Sequence, residues 1–127
     1  MIDHISIAVR DLAASTALYE RVLAPLGLTK LVSRERAVGF GKRYPEFWLN
    51  LRENLPKVPA DTGVHICLRA PSDEAVTTFH RLALEGGCSD AGAPGPRQGA
   101  MTPYFGAFIF DLDGNKIEAV SFPRAPA

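Results

Sequence analysis

The chain is 127 residues long with 46% hydrophobic and 22% charged residues, enough apolar material for one self-sufficient core and too much for a disordered tract. Fourteen Lys and Arg balance fourteen Asp and Glu, so the positive surplus that phosphate-backbone binding needs is missing, which argues against nucleic acid as a partner. Cys67 and Cys88 are too few for a disulfide framework and lack C-x-x-C spacing. No apolar run approaches the roughly 20 residues of a membrane helix, and the opening Met1-Ile2-Asp3-His4 has no signal-peptide pattern. A reduced, cytoplasmic setting away from membranes is the expectation.

Taken in order, the chain opens with a predicted strand at 4–9, where Ile5, Ile7 and Val9 alternate with His4, Ser6 and Ala8. Asp11 is a helix cap, and Leu12, Ser15, Tyr19, Val22, Leu23 and Leu26 follow at helix spacing until Gly27. Strands are predicted near 29–34, 36–42 and 46–52, with turn signals at Gly39, Gly41 and Pro45. Residues 56–62, with Pro56 and Pro59, read as a linker. The pattern then repeats. His65-Ile66-Cys67-Leu68-Arg69-Ala70 echoes the first strand, Ser72-Asp73 supplies a cap, and Val76, Phe79, Leu82 and Ala83 mark a helix that stops at Gly86-Gly87. A short strand near 88–93 and a Gly/Pro-rich loop from Ser89 to Gly99 lead to a strand near 104–111. A tight turn at Asp113-Gly114-Asn115 enters the last strand, near 116–122, and Pro123 to Ala127 is a frayed tail. One α+β domain is expected, made of two βαβββ modules at 1–55 and 63–122. Curved mixed sheets would enclose a cup, with both helices outside.

Alternation assigns faces. Ile5, Ile7 and Val9 belong under the first helix, and Val64, Ile66 and Leu68 under the second. His4 and His65 then occupy repeat-equivalent positions on the helix-free faces. Glu118, flanked by Ile117 and Ala119, takes the same face of the last strand, where a carboxylate needs a cation or a strong donor. His4, His65 and Glu118 would form a two-histidine, one-carboxylate metal site with open positions. Asn50 is the expected counterpart of Glu118 in the first module, with Glu46 the alternative. His80 reads as a solvated helix residue and Cys67 as a small packed thiol.

The doubled pattern, the Asp3-His4-Ile5 opening and the Asp111-Leu112-Asp113-Gly114-Asn115-Lys116-Ile117-Glu118 ending resemble the vicinal oxygen chelate superfamily, the glyoxalase, bleomycin-resistance and extradiol-dioxygenase group. Gly39 to Trp48 and Tyr104 to Phe108 look like a small bacterial glyoxalase-like subgroup within it. The resemblance implies a divalent metal (Fe, Mn, Ni or Zn) on His4, His65 and Glu118, with Glu118 as the candidate catalytic base. It also implies a homodimer, in which the two histidines can come from different chains.

Two functions follow from these readings. The first is a metal-dependent lyase, isomerase or dioxygenase acting on a small substrate with adjacent oxygens, with Phe40, Trp48, Asn50, Tyr104 and Phe108 lining its pocket. The alternative is a metal-free protein of the bleomycin-resistance type that sequesters a drug or other small molecule. Asn50 cannot take a proton, so the two-glutamate glyoxalase arrangement is not expected.

Overall fold

The computed structural model describes residues 1–123, and the expected tail lies outside them from residue 124 onward. Strand β1 (Ile5–Val9) leads through the Asp11 cap, whose side chain accepts from the Ala14 N–H at 3.0 Å, into α1 (Leu12–Leu23). A 3-10 turn at Ala24–Leu26 ends at Gly27, whose φ of 84° is the left-handed conformation that glycine adopts without strain. Strands β2 (Thr29–Ser33), β3 (Ala37–Gly41) and β4 (Phe47–Leu51) complete the first unit. The second repeats it with β5 (Ile66–Arg69), α2 (Asp73–Glu85), β6 (Ser89–Gln98), β7 (Pro103–Phe110) and β8 (Lys116–Ser121). Ser72 caps α2 by accepting from the Ala75 N–H at 3.1 Å.

Two four-stranded mixed sheets result, ordered β1-β4-β3-β2 and β5-β8-β7-β6. In each, the first strand lies at an edge and pairs in parallel with the last. The sheets do not close into one cup. Helix α1 packs against α2, and a single hydrophobic core joins Val9, Tyr19, Leu23, Phe40, Phe47 and Leu49 to Val76, Phe79, Ile109 and Ile117. The helices meet one another between the two halves, on the faces turned away from Glu118 and its neighbours as expected, so what differs from expectation is only that the two sheets of one chain do not enclose a cup together. Apolar burial favours this packing because each helix covers its own sheet and the other helix at once.

A polar clamp fixes the two halves. Asp111, 6% exposed, accepts the Tyr19 hydroxyl at 2.6 Å. Its other bonds come from the Asp113 and Asn115 N–H groups and from Asn115 Nδ2, which close the turn before β8. Asn115 Nδ2 also reaches the Ala8 carbonyl at 3.0 Å. Arg10 donates to Asp113 Oδ1 through both its backbone N–H and Nη1, and to the Leu55 and Pro56 carbonyls. The D-x-D-G-N segment is thus a staple between halves, held by buried charge-assisted bonds.

Three local expectations are corrected. Strand β6 runs for ten residues through the segment read as a loop, with register shifts near Gly92. It is an edge strand, where Pro94 and Pro96 do least harm to the ladder. Val64 precedes β5 and is 70% exposed rather than packed under α2. His80 is buried, with Nε2 2.9 Å from Asp90 Oδ1, and so ties α2 to β6. Among the described residues, no helix is long and apolar enough to cross a membrane.

Candidate functional site

Strand pairing decides what stands beside what. Glu118 lies opposite Cys67 on one side and Phe108 on the other, all on the helix-free face of the second sheet. His65, one residue before β5, shares that face, and its Nε2 is 3.1 Å from Glu118 Oε1. The other carboxylate oxygen, Oε2, accepts the Tyr104 hydroxyl at 3.1 Å. Glu118 is 3% exposed while His65 is open to solvent, so the pair has a buried anion at its base and a reachable imidazole at its rim. The His65 ring stands edge-on to Phe108, with centroids 5.5 Å apart.

Gly106 makes this arrangement possible. A Cβ there would come within 2.9 Å of the Tyr104 ring and 3.3 Å of Glu118 Oε2. Without a side chain, the phenol can lie over the strand and reach the carboxylate. Burial, and then the bond to Glu118, push the Tyr104 hydroxyl above its ordinary pKa, which keeps it a donor. Cys67, expected as a packed thiol, is exposed. Partial desolvation and the neighbouring Glu118 carboxylate push its thiol up to about 12, so it does not supply a ready thiolate.

A cleft of about 380 Å³ opens beside the pair, lined by Cys67, Met101, Thr102, Tyr104, Glu118, Val120 and Phe122 among others. Its walls are mostly apolar, and among the described residues Glu118 is the one charged group lining it. This is the composition of a small-molecule site: apolar walls and a few fixed polar groups. Sequence reasoning did not single out Met101 or Phe122. The first lies in the turn before β7 and the second follows β8, positions that alternation does not address.

The first sheet carries the repeat-equivalent residues. His4 is half-exposed, and its Nδ1 bonds Asp3 Oδ1 at 2.7 Å, which leaves Nε2 free to accept or to ligate. Among the described residues, no group of three His, Cys, Asp or Glu side chains could hold a metal, so His4 does not join His65 and Glu118 within one chain. Register also corrects the counterpart of Glu118. Trp48 lies opposite Ser6 just as Glu118 lies opposite Cys67, whereas Asn50 lies opposite Ala8, two residues farther along. The indole packs over Gly39, 3.1 Å from the position a Cβ would take there, and its ring nitrogen is a donor with no lone pair to offer a metal. Asn50 shares its face. Glu46 lies opposite the residue before Ile5 and is not the equivalent of Glu118 either. Phe40 is 0% exposed, packed under α1 in the core, and so does not line a pocket.

The comparisons with known proteins agree with this fold. The model of the Glyoxalase/Bleomycin resistance protein/Dioxygenase superfamily matches residues 1–119. No curated protein matches the chain. Among solved structures, a glyoxalase/bleomycin resistance protein from Albidiferax ferrireducens T118 is 28% identical, with a TM-score of 0.81 over 94% of this chain and 97% of that one. A putative glyoxalase from Bacillus halodurans is 23% identical, with a TM-score of 0.68 over 95% of each chain. The genomically encoded fosfomycin resistance protein FosX of Listeria monocytogenes is 17% identical, with a TM-score of 0.69 over 97% of this chain and 93% of that one. With the superfamily model spanning nearly its whole length and both halves folded in the same way, this chain belongs to the glyoxalase, bleomycin-resistance and dioxygenase superfamily.

Proposed function

We propose that this protein is a metal-dependent enzyme of lyase, isomerase or dioxygenase type, acting on a small substrate that presents two adjacent oxygen atoms. The observation that carries the reading is the His65–Glu118 pair, a buried carboxylate set 3.1 Å from an accessible imidazole nitrogen beside an apolar cleft. The donor set fits a divalent cation. The spacing is that of neighbouring ligands on one small ion, about 3 Å, and nitrogen with carboxylate oxygen suits Fe, Mn, Ni or Zn. His4 fits as a third ligand, because the Asp3 carboxylate holds its Nδ1 and leaves Nε2 available.

His4 and the His65–Glu118 pair lie on separate sheets of one chain, so the complete set is assigned to a homodimer. In it, the helix-free face of the first sheet in one protomer meets that of the second sheet in its partner. A bound cation would polarise a substrate oxygen and stabilise negative charge developing on it. The protein's own groups do the rest. Tyr104 fixes Oε2 of Glu118, so Oε1 is the atom left to hold a cation or to take a proton from substrate. Val120 and Phe122 give the cleft beside that carboxylate an apolar wall against which the carbon skeleton of a substrate can pack. Trp48, standing where a second carboxylate would be, argues against the two-glutamate isomerase arrangement.

Titration of the apoprotein with Mn²⁺ or Ni²⁺ tests the reading. One ion per protomer is expected, with Glu118→Gln weakening binding by about a hundredfold or more, since a neutral amide replaces an anionic ligand. Mixing His4→Ala with Glu118→Gln subunits should then restore one site per mixed dimer, because one of its two sites draws both intact ligands. A wild type that binds no divalent ion but does bind an aromatic drug would overturn the proposal in favour of metal-free sequestration.

A further inference from the structure

The helix-free face of the second sheet has a charge that the chain as a whole lacks. Over the full sequence the fourteen Lys and Arg are balanced, yet on this face Arg69, Arg97 and Lys116 surround the single buried carboxylate of Glu118. Pairing places them there. Lys116 is two residues from Glu118 on the same strand, Arg69 lies opposite Val120, and Arg97 lies opposite Tyr104. Among the described residues none of the three forms a salt bridge, while Arg10, Arg21, Lys30, Arg36 and Arg81 all do.

Two of these cations share one aromatic support beside the proposed metal ligands. Arg97 Cζ lies 5.4 Å and Lys116 Nζ 5.0 Å from the centroid of Phe108, the residue directly opposite Glu118. The ring holds both side chains and offers no counter-charge. Gly92 clears the space, since a Cβ there would come within 3.0 Å of Arg97 Nη2 and 3.1 Å of the Phe108 ring.

Arg97 is also incompletely satisfied. Its Nη2 donates to the Ala93 carbonyl at 2.7 Å, but its Nε–H is buried and has no acceptor. A buried donor left without a partner is rare and calls for an ordered water or a bound group. A guanidinium fork with an idle N–H and an unpaired ammonium, both held against the same ring, supply the charge and the N–H donors that an oxyanion takes.

We infer that Arg97 and Lys116 form an anion clamp beside the His65–Glu118 pair, so that the substrate carries a phosphoryl or carboxylate group in addition to its adjacent oxygens. The clamp rests on the proposed site for its place in catalysis, but its geometry is independent of any metal. It would steer such a substrate into the cleft and orient the neutral end towards Glu118.

Titration of the metal-free protein with inorganic phosphate or with succinate, followed by the NMR signal of the Arg97 Nε–H, tests the clamp. A saturable shift is expected with at least one probe, and which probe binds tells phosphoryl from carboxylate recognition. Lys116→Met, which keeps the apolar stem over Phe108, and Arg97→Lys, which keeps the charge but lacks the Nε–H, should each weaken binding tenfold or more. Arg81→Gln on α2 should not. If Arg97→Lys fails to fold, Lys116→Met carries the test by calorimetry. No saturable shift in a wild type that still binds Mn²⁺ overturns the clamp and leaves the metal reading standing. Phosphate or succinate binding without any metal binding does the reverse. Equal weakening by Arg81→Gln, or variants that lower dimer affinity while anion binding is unchanged, would also overturn it, the latter by showing that these cations pair with the other protomer.

Discussion

Tyr19→Phe separates a structural role for the D-x-D-G-N turn from a chemical one. The phenol is 0% exposed and donates to Asp111 Oδ2 at 2.6 Å, bridging α1 of the first half to the turn that precedes β8. Phenylalanine keeps the ring that packs 5.1 Å from Phe47 and removes only the hydroxyl. Burial raises the Asp111 carboxyl, and the bond from Tyr19 is foremost among those that oppose the rise. Folding therefore disfavours the ionised form. The group's contribution to stability is fully present below the ordinary carboxylate range and is lost as pH rises through its folded pKa. Without Tyr19 that pKa rises further, so the variant loses more at neutral pH than in acid. A hydrogen bond to a charged partner contributes about 1.5–3 kcal/mol, which sets an expected loss of about 2 kcal/mol at pH 7. At an acid pH low enough to protonate Asp111, the loss should fall to about 1 kcal/mol. Urea unfolding at both pH values reads this as a midpoint shift of about 1 M at pH 7 with unchanged slope. Divalent-metal affinity of the folded variant should stay at the wild-type level, because the Tyr19 hydroxyl bonds Asp111 and none of His4, His65 and Glu118. A loss under about 0.5 kcal/mol at pH 7, equal losses at both pH values, or a drop in metal affinity like that of Glu118→Gln would refute the staple.

Other perturbations address the site and its surroundings. Gly106→Ala places a methyl 2.9 Å from the Tyr104 ring and 3.3 Å from Glu118 Oε2, so metal affinity should fall about tenfold, and an unchanged titration would show that the ring gives way. Trp48→Glu sets a carboxylate at the position related to Glu118 and should tighten divalent-metal binding. It should also raise methylglyoxal–glutathione isomerase activity, expected to be weak in the wild type, whereas Asn50→Glu, two residues on, should do neither. Asp90 is held below the ordinary carboxylate range chiefly by its bond to His80, so its contribution is present above that range and is lost as pH falls through the folded pKa. Melting of Asp90→Asn should lie slightly below wild type at pH 7 and converge with it in strong acid; a constant gap would count against the linkage.

Local chemistry in the sequence sufficed for much of this molecule. The caps at Asp11 and Ser72, the helical stripes and the glycine stops depend on contacts within a few residues, and the elements formed where those signals stand. Alternation likewise placed Glu118 and Cys67 on one face, because the strand period of two does not depend on the partner strand. That same period is why Trp48 and Asn50 could not be told apart. Both have the right parity, and only the hydrogen-bonded pairing of β1 with β4 selects the residue opposite Ser6. The start of β6 was expected near 88–93, but its continuation to Gln98 was hidden because glycines and prolines signal a loop locally, while pairing with β7 along one edge overrides them. His80 looked solvated from its own helix, and the acceptor that lets it be buried lies ten residues on, in β6. The largest difference was the placement of the two halves. Each apolar helix face could cover its own sheet in either a closed or an open arrangement. Packing of α1 on α2 and the buried bonds from Tyr19 and Arg10 to the Asp111–Asn115 turn, contacts about a hundred residues apart in the chain, hold the halves so that His4 stands apart from His65 and Glu118.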